Sequence, residues 1–511
     1  MWPVFFSISG AVHSRLCSNH DNRRTQSVNK VMNMYKGNLA EPLNWQKSIS
    51  WLVLAVACFH AAYTSIHFPA AGLAIFGYAI GLTRLTQQSS ARRAFYWGLA
   101  AGFLCYAPQL WFFFKIFSVA AIVLWLVLAF WTGLFGAIVC GGVRRWGMAK
   151  AVWLIPVVWT GVEYFRSELY YLRFSWLNVG YAVPQLFSGM GGHALGMYGA
   201  GFVVFTVAAA FNVAVMVRRF WWKLALVSVL IAWLLGTFCI RTTSVGNSDF
   251  PPASVSIVGV QLEFPQAGII PKMLDHALAK NTNAQIFVLS EYTLTGPVPD
   301  SLKNWCREHA RYLVIGGEDP AGTNNYYDTA FVVGTNGDIV FKQGKCVPIQ
   351  FFHDGLPAPA QKVWNSPWGK IGFCVCYDLS YPFVTDELVR QGAQLLIVPT
   401  MDVEYWSRHQ HELHTRVAPV RAEEYGIPIF RLASSGISQA VSADGKVVAT
   451  APMPGTGATL AANLTLANHP TLPVDRYIAP VCTGATALVL VVLLIQSWRG
   501  KSGQPSSDPT N

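Results

Sequence analysis

The feature that most constrains this chain is a series of long apolar stretches in its first half. From about Trp51 to Cys239 these stretches follow one another with only short polar breaks. Each is close to the length of about 20 residues that an α-helix needs to cross a bilayer. Of the 511 residues, 53% are hydrophobic and only 12% are charged, which is too apolar for an ordinary soluble protein. The sequence therefore predicts a polytopic α-helical membrane domain.

We predict about eight membrane-spanning helices, seven before a region of different character and one after it. The predicted spans cover residues 49–64, 67–84, 94–114, 117–140, 150–165, 193–217, 220–240 and 479–496. Lys and Arg residues form short clusters between the spans, such as Arg144, Arg145 and Lys150, as in the cytoplasmic loops of membrane proteins. These clusters account for the formal net charge of +11, so this charge does not indicate a nucleic-acid partner. Placing them in the cytoplasm puts residues 241–478 on the other side of the membrane.

The same patterns divide the chain into five parts. We expect a disordered cytoplasmic extension at 1–47, the membrane domain with seven helices at 48–242, a globular domain at 251–470, a transmembrane helix at 479–497 and a cytoplasmic tail at 498–511. The ten cysteines show neither a paired framework nor the spacing of a zinc site, so we expect no disulfide scaffold.

The globular region alternates between strand-like and helical segments. Two of its strands, IFVLS and LLIVP, are apolar throughout, as expected when both faces of a sheet are covered. The pairs Asn336-Gly337 and Asp444-Gly445 are typical of the tight turns between antiparallel strands. The pattern predicts an α/β fold in which two packed sheets carry helices on their outer faces, a four-layer αββα sandwich.

Three of these segments carry reactive side chains. Glu291 follows IFVLS, Lys342 and Lys345 lie in IVFKQGKCVP, and Cys376 ends the strand of KIGFCVCYD. A thiol, a carboxylate and an ammonium together are the equipment of an enzyme that uses a cysteine nucleophile. We assign Cys376 as the nucleophile and Glu291 as its general base, with a pKa raised by a desolvated pocket. The lysine would stabilise the thiolate and the oxyanion.

These motifs resemble those of the apolipoprotein N-acyltransferase family, the membrane branch of the nitrilase or carbon-nitrogen hydrolase superfamily. The similar segments are LSE ending at Glu291, Cys376-Tyr377-Asp378, EYFRSELYYLRFSWLNVGYAVPQ at 163–185 and HQHELHTRVAPVRAEEYGIPIFRLASSGIS. The resemblance implies a nitrilase-like sandwich, a Glu-Lys-Cys triad and a bacterial inner-membrane enzyme with its catalytic domain on the periplasmic side.

The lysine departs from the family pattern. The family's spacing would put it at position 343, where this chain has Gln343. A one-residue bulge at Gln343 and Gly344 would bring Lys342 into the site, so Lys342 is our first choice and Lys345 the second. The family also has a glutamate three residues after the following proline, where this chain has Phe351. Either Asp354 or no carboxylate takes that place.

The sequence also contains candidates for substrate binding and for a metal site. Five residues are expected to contact substrate, although aromatic residues near a membrane are more often interfacial anchors: Tyr377, Asp378, Trp176, Tyr181 and Arg166. Cys374, two residues before the nucleophile, is expected to be a packed neighbour. His409, His411 and His414 share one helix, and we interpret them as a partly covered helix face rather than a metal site. No metal and no cofactor is expected.

The predicted function is acyl transfer by a ping-pong route. The expected partners are a phospholipid acyl donor and, by resemblance, the N-terminal amine of a diacylglyceryl-cysteine apolipoprotein. Two alternatives stay open at this point. The same triad would serve a membrane-tethered amidase or an acyltransferase with another amine acceptor, and a non-catalytic membrane protein would keep the fold as a scaffold.

Overall fold

The computed structural model describes residues 42–64, 69–182, 192–216, 253–455 and 457–502. Up to residue 216 these residues form α-helices joined by short connections. The helices are Trp45–Tyr63 (α1), Ala74–Leu85 (α2), Ala91–Gln109 (α3), Phe112–Phe117 (α4), Ala120–Trp146 (α5), Met148–Ala151 (α6), Leu154–Tyr164 (α7) and Gly192–Met216 (α8). The first helix begins inside the extension predicted at 1–47, because the side chain of Asn44 caps it by accepting from the Lys47 amide at 2.9 Å. The predicted span 220–240 lies outside the described residues.

Three helices in the described part of the chain are long and apolar enough to cross a membrane. They are Ala120–Trp146, Leu195–Asn212 and Asp475–Arg499, and a shorter apolar helix covers Ala70–Leu85. These three coincide with predicted spans, and the other five predicted spans stay predictions. Helices α3 and α5 approach each other closely through small residues. A Cβ atom added to Gly98 would lie 2.6 Å from the carbonyl oxygen of Thr132, so glycine permits the contact.

The globular half contains two six-stranded sheets. Its strands are Ser254–Val260 (β1), Ile286–Leu289 (β2), Tyr312–Pro320 (β3), Tyr326–Val333 (β4), Ile339–Gly344 (β5), Val363–Ser366 (β6), Gly369–Phe373 (β7), Leu395–Thr400 (β8), Ile429–Ala433 (β9), Ser438–Val441 (β10), Val447–Ala451 (β11) and Thr459–Thr465 (β12). The strand orders are β12-β1-β2-β3-β4-β5 and β11-β10-β9-β8-β7-β6. The antiparallel pairs β4–β5 and β10–β11 are joined at the two turns that the sequence predicts.

The sheets face each other across one apolar layer, and helices cover their outer sides. The shared layer includes Ile257 and Val288 from one sheet and Phe373 and Ile397 from the other. The helices of this half are Ile270–Lys280 (α9), Asp300–His309 (α10), Pro382–Arg390 (α11), Arg408–Thr415 (α12) and Val417–Tyr425 (α13). Residues of α9 and α10 pack on the first sheet, and residues of α11 to α13 pack on the second.

The second sheet's helices also form a continuous core with the helical first half of the chain. The last helix, Asp475–Ser502 (α14), reinforces this junction at its first turn. Asp475 accepts from the backbone amide of Tyr198 at 2.9 Å, and Arg476 pairs with Asp386 at 2.8 Å and with Glu424 at 3.0 Å. The two halves of the chain are therefore packed together through buried apolar and ionic contacts.

Candidate active site

Cys376 lies on a sharp turn three residues after the end of strand β7. It begins the short 3₁₀ turn Cys376–Ser380, is only 3% exposed, and has a φ of +49°. A positive φ is unfavourable for any residue with a side chain, so the turn must be held by its surroundings. The buried carboxylate of Asp378 holds it by accepting from the amides of Val375 at 3.3 Å, Cys346 at 3.0 Å and Val347 at 2.7 Å.

Asp378 therefore ties the turn of the cysteine to the segment that follows Lys345. Burial raises its pKa to about 6, and the backbone amides oppose that shift. The sequence predicted Asp378 as a substrate-binding residue, whereas its contacts here are with the protein backbone. Cys374, the residue after strand β7, is fully buried, and burial raises its pKa.

Glu291 follows strand β2 and meets Cys376 across the gap between the two sheets. Its Oε2 accepts from the backbone amide of Met401 at 2.6 Å, and the thiol of Cys376 lies 3.7 Å from the carbonyl oxygen of the same residue. Both reactive side chains are thus held by Met401, which follows strand β8. The carboxylate and the thiol meet because β2 and β7 belong to sheets that face each other.

Lys345 lies at the centre of a buried group of carboxylates. Its Nζ lies 2.7 Å from Glu291, 2.8 Å from Asp354 and 3.4 Å from Asp328. Burial alone lowers the pKa of Lys345, but the three carboxylates outweigh it and raise the pKa well above its usual value. These carboxylate oxygens lie within 4.8 Å of one another, and the ammonium supplies the positive charge that such a cluster needs.

The Lys345 ammonium also corrects the electrostatic prediction for Glu291. Burial raises the pKa of this carboxyl, as the sequence predicted, but the charge of Lys345 and the hydrogen bonds that Glu291 accepts from its neighbours together outweigh burial, and the net pKa is lowered. Burial and the charge of Glu291 together raise the pKa of Asp328 well above its usual value. The thiol of Cys376 has a pKa raised by burial and by Glu291. The resting site therefore contains a neutral thiol beside an ionised Glu291.

Lys342, the first choice from sequence, lies elsewhere. Its side chain is 57% exposed and pairs with Asp319 at the surface. The predicted bulge at Gln343 and Gly344 is also wrong, because the irregularity in the β4–β5 pairing lies opposite Val332 and Val333. Strand β5 continues to Gly344, and the next residue, Lys345, turns into the site. The second choice is therefore the lysine beside Glu291.

The structure also chooses between the alternatives for the missing glutamate. Asp354 contacts Lys345 and is itself held, since it accepts from the Tyr292 hydroxyl at 2.8 Å and from the Ile349 amide at 2.5 Å. Phe351 is 66% exposed and has a φ of +68°. A carboxylate is thus present beside the lysine, but it comes three residues later in the chain than the family pattern has it.

A cavity of about 120 Å³ leads from Cys376 toward the helical half. Its wall is mostly apolar, with Phe112, Phe113 and Ile116 from α4 and Leu124 and Val127 from α5. Tyr377 and Trp176, two of the predicted binding residues, also line it.

The other three predicted binding residues, Asp378, Tyr181 and Arg166, are not among the residues that line this cavity. The hydroxyl of Tyr181 accepts from Arg421 at 3.0 Å. Arg166 is buried against Asn178 and lies 5.5 Å from the centre of the Tyr106 ring. Both residues support the loop between α7 and α8 rather than the cavity.

Asp402, which was not among the residues predicted from sequence, also lines the cavity. It follows the apolar strand LLIVPT, so it is a strand-end carboxylate of the same kind as Glu291 and was open to the same argument. It pairs with His414, which was predicted from sequence only to lie on a partly covered helix face.

Comparison with known proteins divides the chain in the same way. Residues 250–469 match the carbon-nitrogen hydrolase family, and residues 53–210 match the apolipoprotein N-acyltransferase N-terminal domain. The apolipoprotein N-acyltransferase of Shewanella oneidensis is 23% identical over 81% of this chain and 90% of its own length. That of Pasteurella multocida is 21% identical over 74% of this chain and 82% of its own. The crystal structure of a carbon-nitrogen hydrolase from Helicobacter pylori G27 is 17% identical, with a TM-score of 0.37 over 42% of this chain and 89% of that one.

Proposed function

Because the chain belongs to the apolipoprotein N-acyltransferase family of the nitrilase superfamily, we propose that it transfers a fatty acyl chain from a phospholipid to an apolipoprotein through a thioester on Cys376. The acceptor is the N-terminal amine of a diacylglyceryl-cysteine. The observation that carries the proposal is the contact of Glu291 with Lys345 and Met401, beside Cys376, at the end of an apolar cavity.

In the first half-reaction, Glu291 takes the proton of the Cys376 thiol. The thiolate attacks the carbonyl carbon of the phospholipid ester, and the ammonium of Lys345 stabilises the oxyanion of the tetrahedral intermediate. Glu291 then gives its proton to the departing oxygen as the carbon–oxygen bond breaks. A lysophospholipid leaves, the acyl chain remains on sulfur, and Glu291 is again ionised.

The apolar wall of the cavity suits the acyl chain. Because this wall includes residues of α4 and α5, a chain entering from the bilayer reaches Cys376 without crossing water. Both proposed substrates are lipids, which gives a reason for a catalytic domain packed on membrane helices. We place the enzyme in the bacterial inner membrane with eight spans and its catalytic domain on the periplasmic side.

One observation favours a second candidate. Phe351 stands where the family has a glutamate, and the carboxylate beside Lys345 is Asp354 instead. The same acyl-enzyme would then pass its acyl group to water or to another amine, as in a membrane-tethered amidase. A non-catalytic scaffold, by contrast, would form no acyl-enzyme at all.

The test is mass spectrometry of the protein in phospholipid vesicles. We expect an acyl group in thioester linkage on Cys376 and none in Cys376→Ala. Cys374→Ala is the matched control, because it removes a neighbouring buried thiol at a packing cost of about 1 kcal/mol and should keep the thioester. A thioester-free wild-type protein would contradict the proposal. Complementation of a strain depleted of its own N-acyltransferase, with lipoprotein N-termini analysed, separates the apolipoprotein acceptor from the second candidate.

A further inference from the structure

A buried histidine–aspartate pair lies on the wall of the cavity that contains Cys376. His414 lies on α12, Asp402 follows β8, and both line the cavity. The Nδ1 atom of His414 is 2.8 Å from Oδ1 of Asp402, and the histidine is only 2% exposed. None of the steps described above uses this pair.

The contacts of Asp402 determine which ring nitrogen of His414 carries the proton. Burial raises the pKa of Asp402, but His414 and Arg431 outweigh burial and lower it well below its usual value. Arg431 donates to the other carboxylate oxygen at 2.5 Å and also lies 2.9 Å from Nδ1 of His414. An ionised carboxylate only accepts hydrogen bonds, so Nδ1 donates to Asp402, and the approach of the Arg431 guanidinium to Nδ1 is then not a hydrogen bond. Nε2 carries no proton and keeps a free lone pair.

That lone pair has no partner. Nε2 of His414 is buried and makes no hydrogen bond to any described residue. The ring is stacked on Trp176 with 4.5 Å between centroids and 18° between planes, and the Trp176 indole donates to the Ser380 hydroxyl at 3.0 Å. A buried polar atom without a hydrogen-bond partner lowers the stability of a protein. The unpartnered Nε2 atom belongs to a residue of the cavity wall, and its presence there is explained if a substrate group binds to it.

Glu291 is poorly suited to take the first proton from the incoming acceptor. An α-amine with a pKa of about 8 arrives as an ammonium and must lose a proton before it attacks. The oxygens of Glu291 are already occupied by Lys345 and Met401, and its pKa is lowered. Burial also lowers the pKa of His414 from its usual value, so its imidazole is neutral at pH 7. The other charged or titratable groups facing it are Asp402, Arg431 and His411.

We propose that His414 is a second catalytic base, which deprotonates the acceptor ammonium after the thioester has formed. This inference rests on the proposed acyl transfer and deepens it. Nε2 takes one proton from the ammonium, and the free amine attacks the thioester carbonyl to form the carbon–nitrogen bond. Glu291 takes the second proton from nitrogen, the carbon–sulfur bond breaks, and the Cys376 thiolate recovers that proton from Glu291. The imidazolium returns its proton to solvent.

The experiment separates the two half-reactions in the full-length protein in vesicles. Acyl-enzyme formation is measured without acceptor, and a synthetic diacylglyceryl-cysteine peptide is then added in a single turnover. In His414→Gln, whose amide still donates to Asp402, we expect near-normal thioester formation and acyl transfer to the peptide slowed about 100-fold. The wild-type transfer rate should fall as the imidazole is protonated below pH 6.5. In the variant, the pH dependence of the transfer rate should instead match the deprotonation of the acceptor amine in solution.

Chemical rescue distinguishes a base from a structural residue. Free imidazole should restore transfer in His414→Ala, because the ring's place beside Trp176 is then vacant. His409→Gln, on the same helix but outside the described cavity wall, is the matched control and should keep both half-reactions. Normal transfer in His414→Gln, or equal slowing of both half-reactions with no rescue by imidazole, would overturn the inference. Absence of a thioester in the wild-type protein would overturn the proposed function with it.

Discussion

The two lysines near the end of β5 provide the sharpest test at the scale of single residues. Lys345→Ala removes the only cation in contact with Glu291 among the described residues and leaves three buried carboxylates without it. We expect acylation to slow roughly 100- to 1000-fold, since the oxyanion loses about 3 to 4 kcal/mol of stabilisation. Lys342→Ala, the matched control, removes a mostly exposed ion pair with Asp319 and should change the rate little. The measurement is the rate of thioester formation on Cys376.

The same pair of variants has a pH signature. The pKa of Glu291 is lowered, so its carboxylate stays ionised down to pH values below its usual pKa of about 4.5 and acylation is lost only beneath that. In Lys345→Ala, burial acts on Glu291 without the ammonium, its pKa rises, and the acid limb of any residual activity moves upward. Two results would contradict this account: an acid side of the pH–rate profile that is the same in Lys345→Ala as in the wild type, or a Lys342→Ala variant that is inactive while Lys345→Ala is active.

Some of these residues could be predicted from the sequence and others could not, for physical reasons. Cys376 and Glu291 each follow a buried strand, and that local pattern is visible in the chain. The choice between the lysines was not local, because it depends on where the β4–β5 pairing shifts, and that shift lies opposite Val332. The partner of His414 is equally hidden, since Asp402 lies twelve residues earlier and meets it only through the fold.

At the scale of elements, strand β3 approaches the two residues that follow strand β2 so closely that one glycine controls the position of Glu291. A Cβ atom added to Gly316 on β3 would lie 2.5 Å from the Cα of Glu291 and 2.6 Å from the carbonyl oxygen of Ser290. Both contacts are with backbone, which cannot rotate away. Gly316→Ala should therefore cost about 1 to 3 kcal/mol of stability and slow acylation by displacing Glu291.

Thermal unfolding and thioester formation, measured on the same Gly316→Ala preparation, test this prediction. Gly296→Ala is the control, because a Cβ there meets nothing within 4 Å. Equal behaviour of the two variants would show that β2 and β3 separate easily. The strand pattern and both hairpins were predictable from sequence because apolar runs and turn residues are local, whereas this close approach of β3 to the segment after β2 was not.

At the scale of the whole molecule, the last helix relates the globular half to the basic loops. Its first residue, Asp475, touches α8 beside the globular half, and Gln496 near its other end accepts from Arg145 at 3.0 Å. The 21 residues between these contacts span roughly 30 Å in an α-helix, about the thickness of the hydrocarbon core. If α14 crosses the bilayer, the cluster of Arg144 and Arg145 lies on the face opposite the globular half.

This geometry makes the orientation testable. Basic clusters favour the cytoplasmic side, so we expect the globular half on the periplasmic side. A membrane-impermeant protease added to spheroplasts should cleave within residues 241–478 and leave the 144–150 segment intact, and lysed spheroplasts provide the control in which both are accessible. Fragments are assigned by tags near each segment. Cleavage at 144–150 with a protected globular half would reverse the orientation and exclude a periplasmic acceptor, while protection or cleavage of both together would mean that α14 does not cross the membrane.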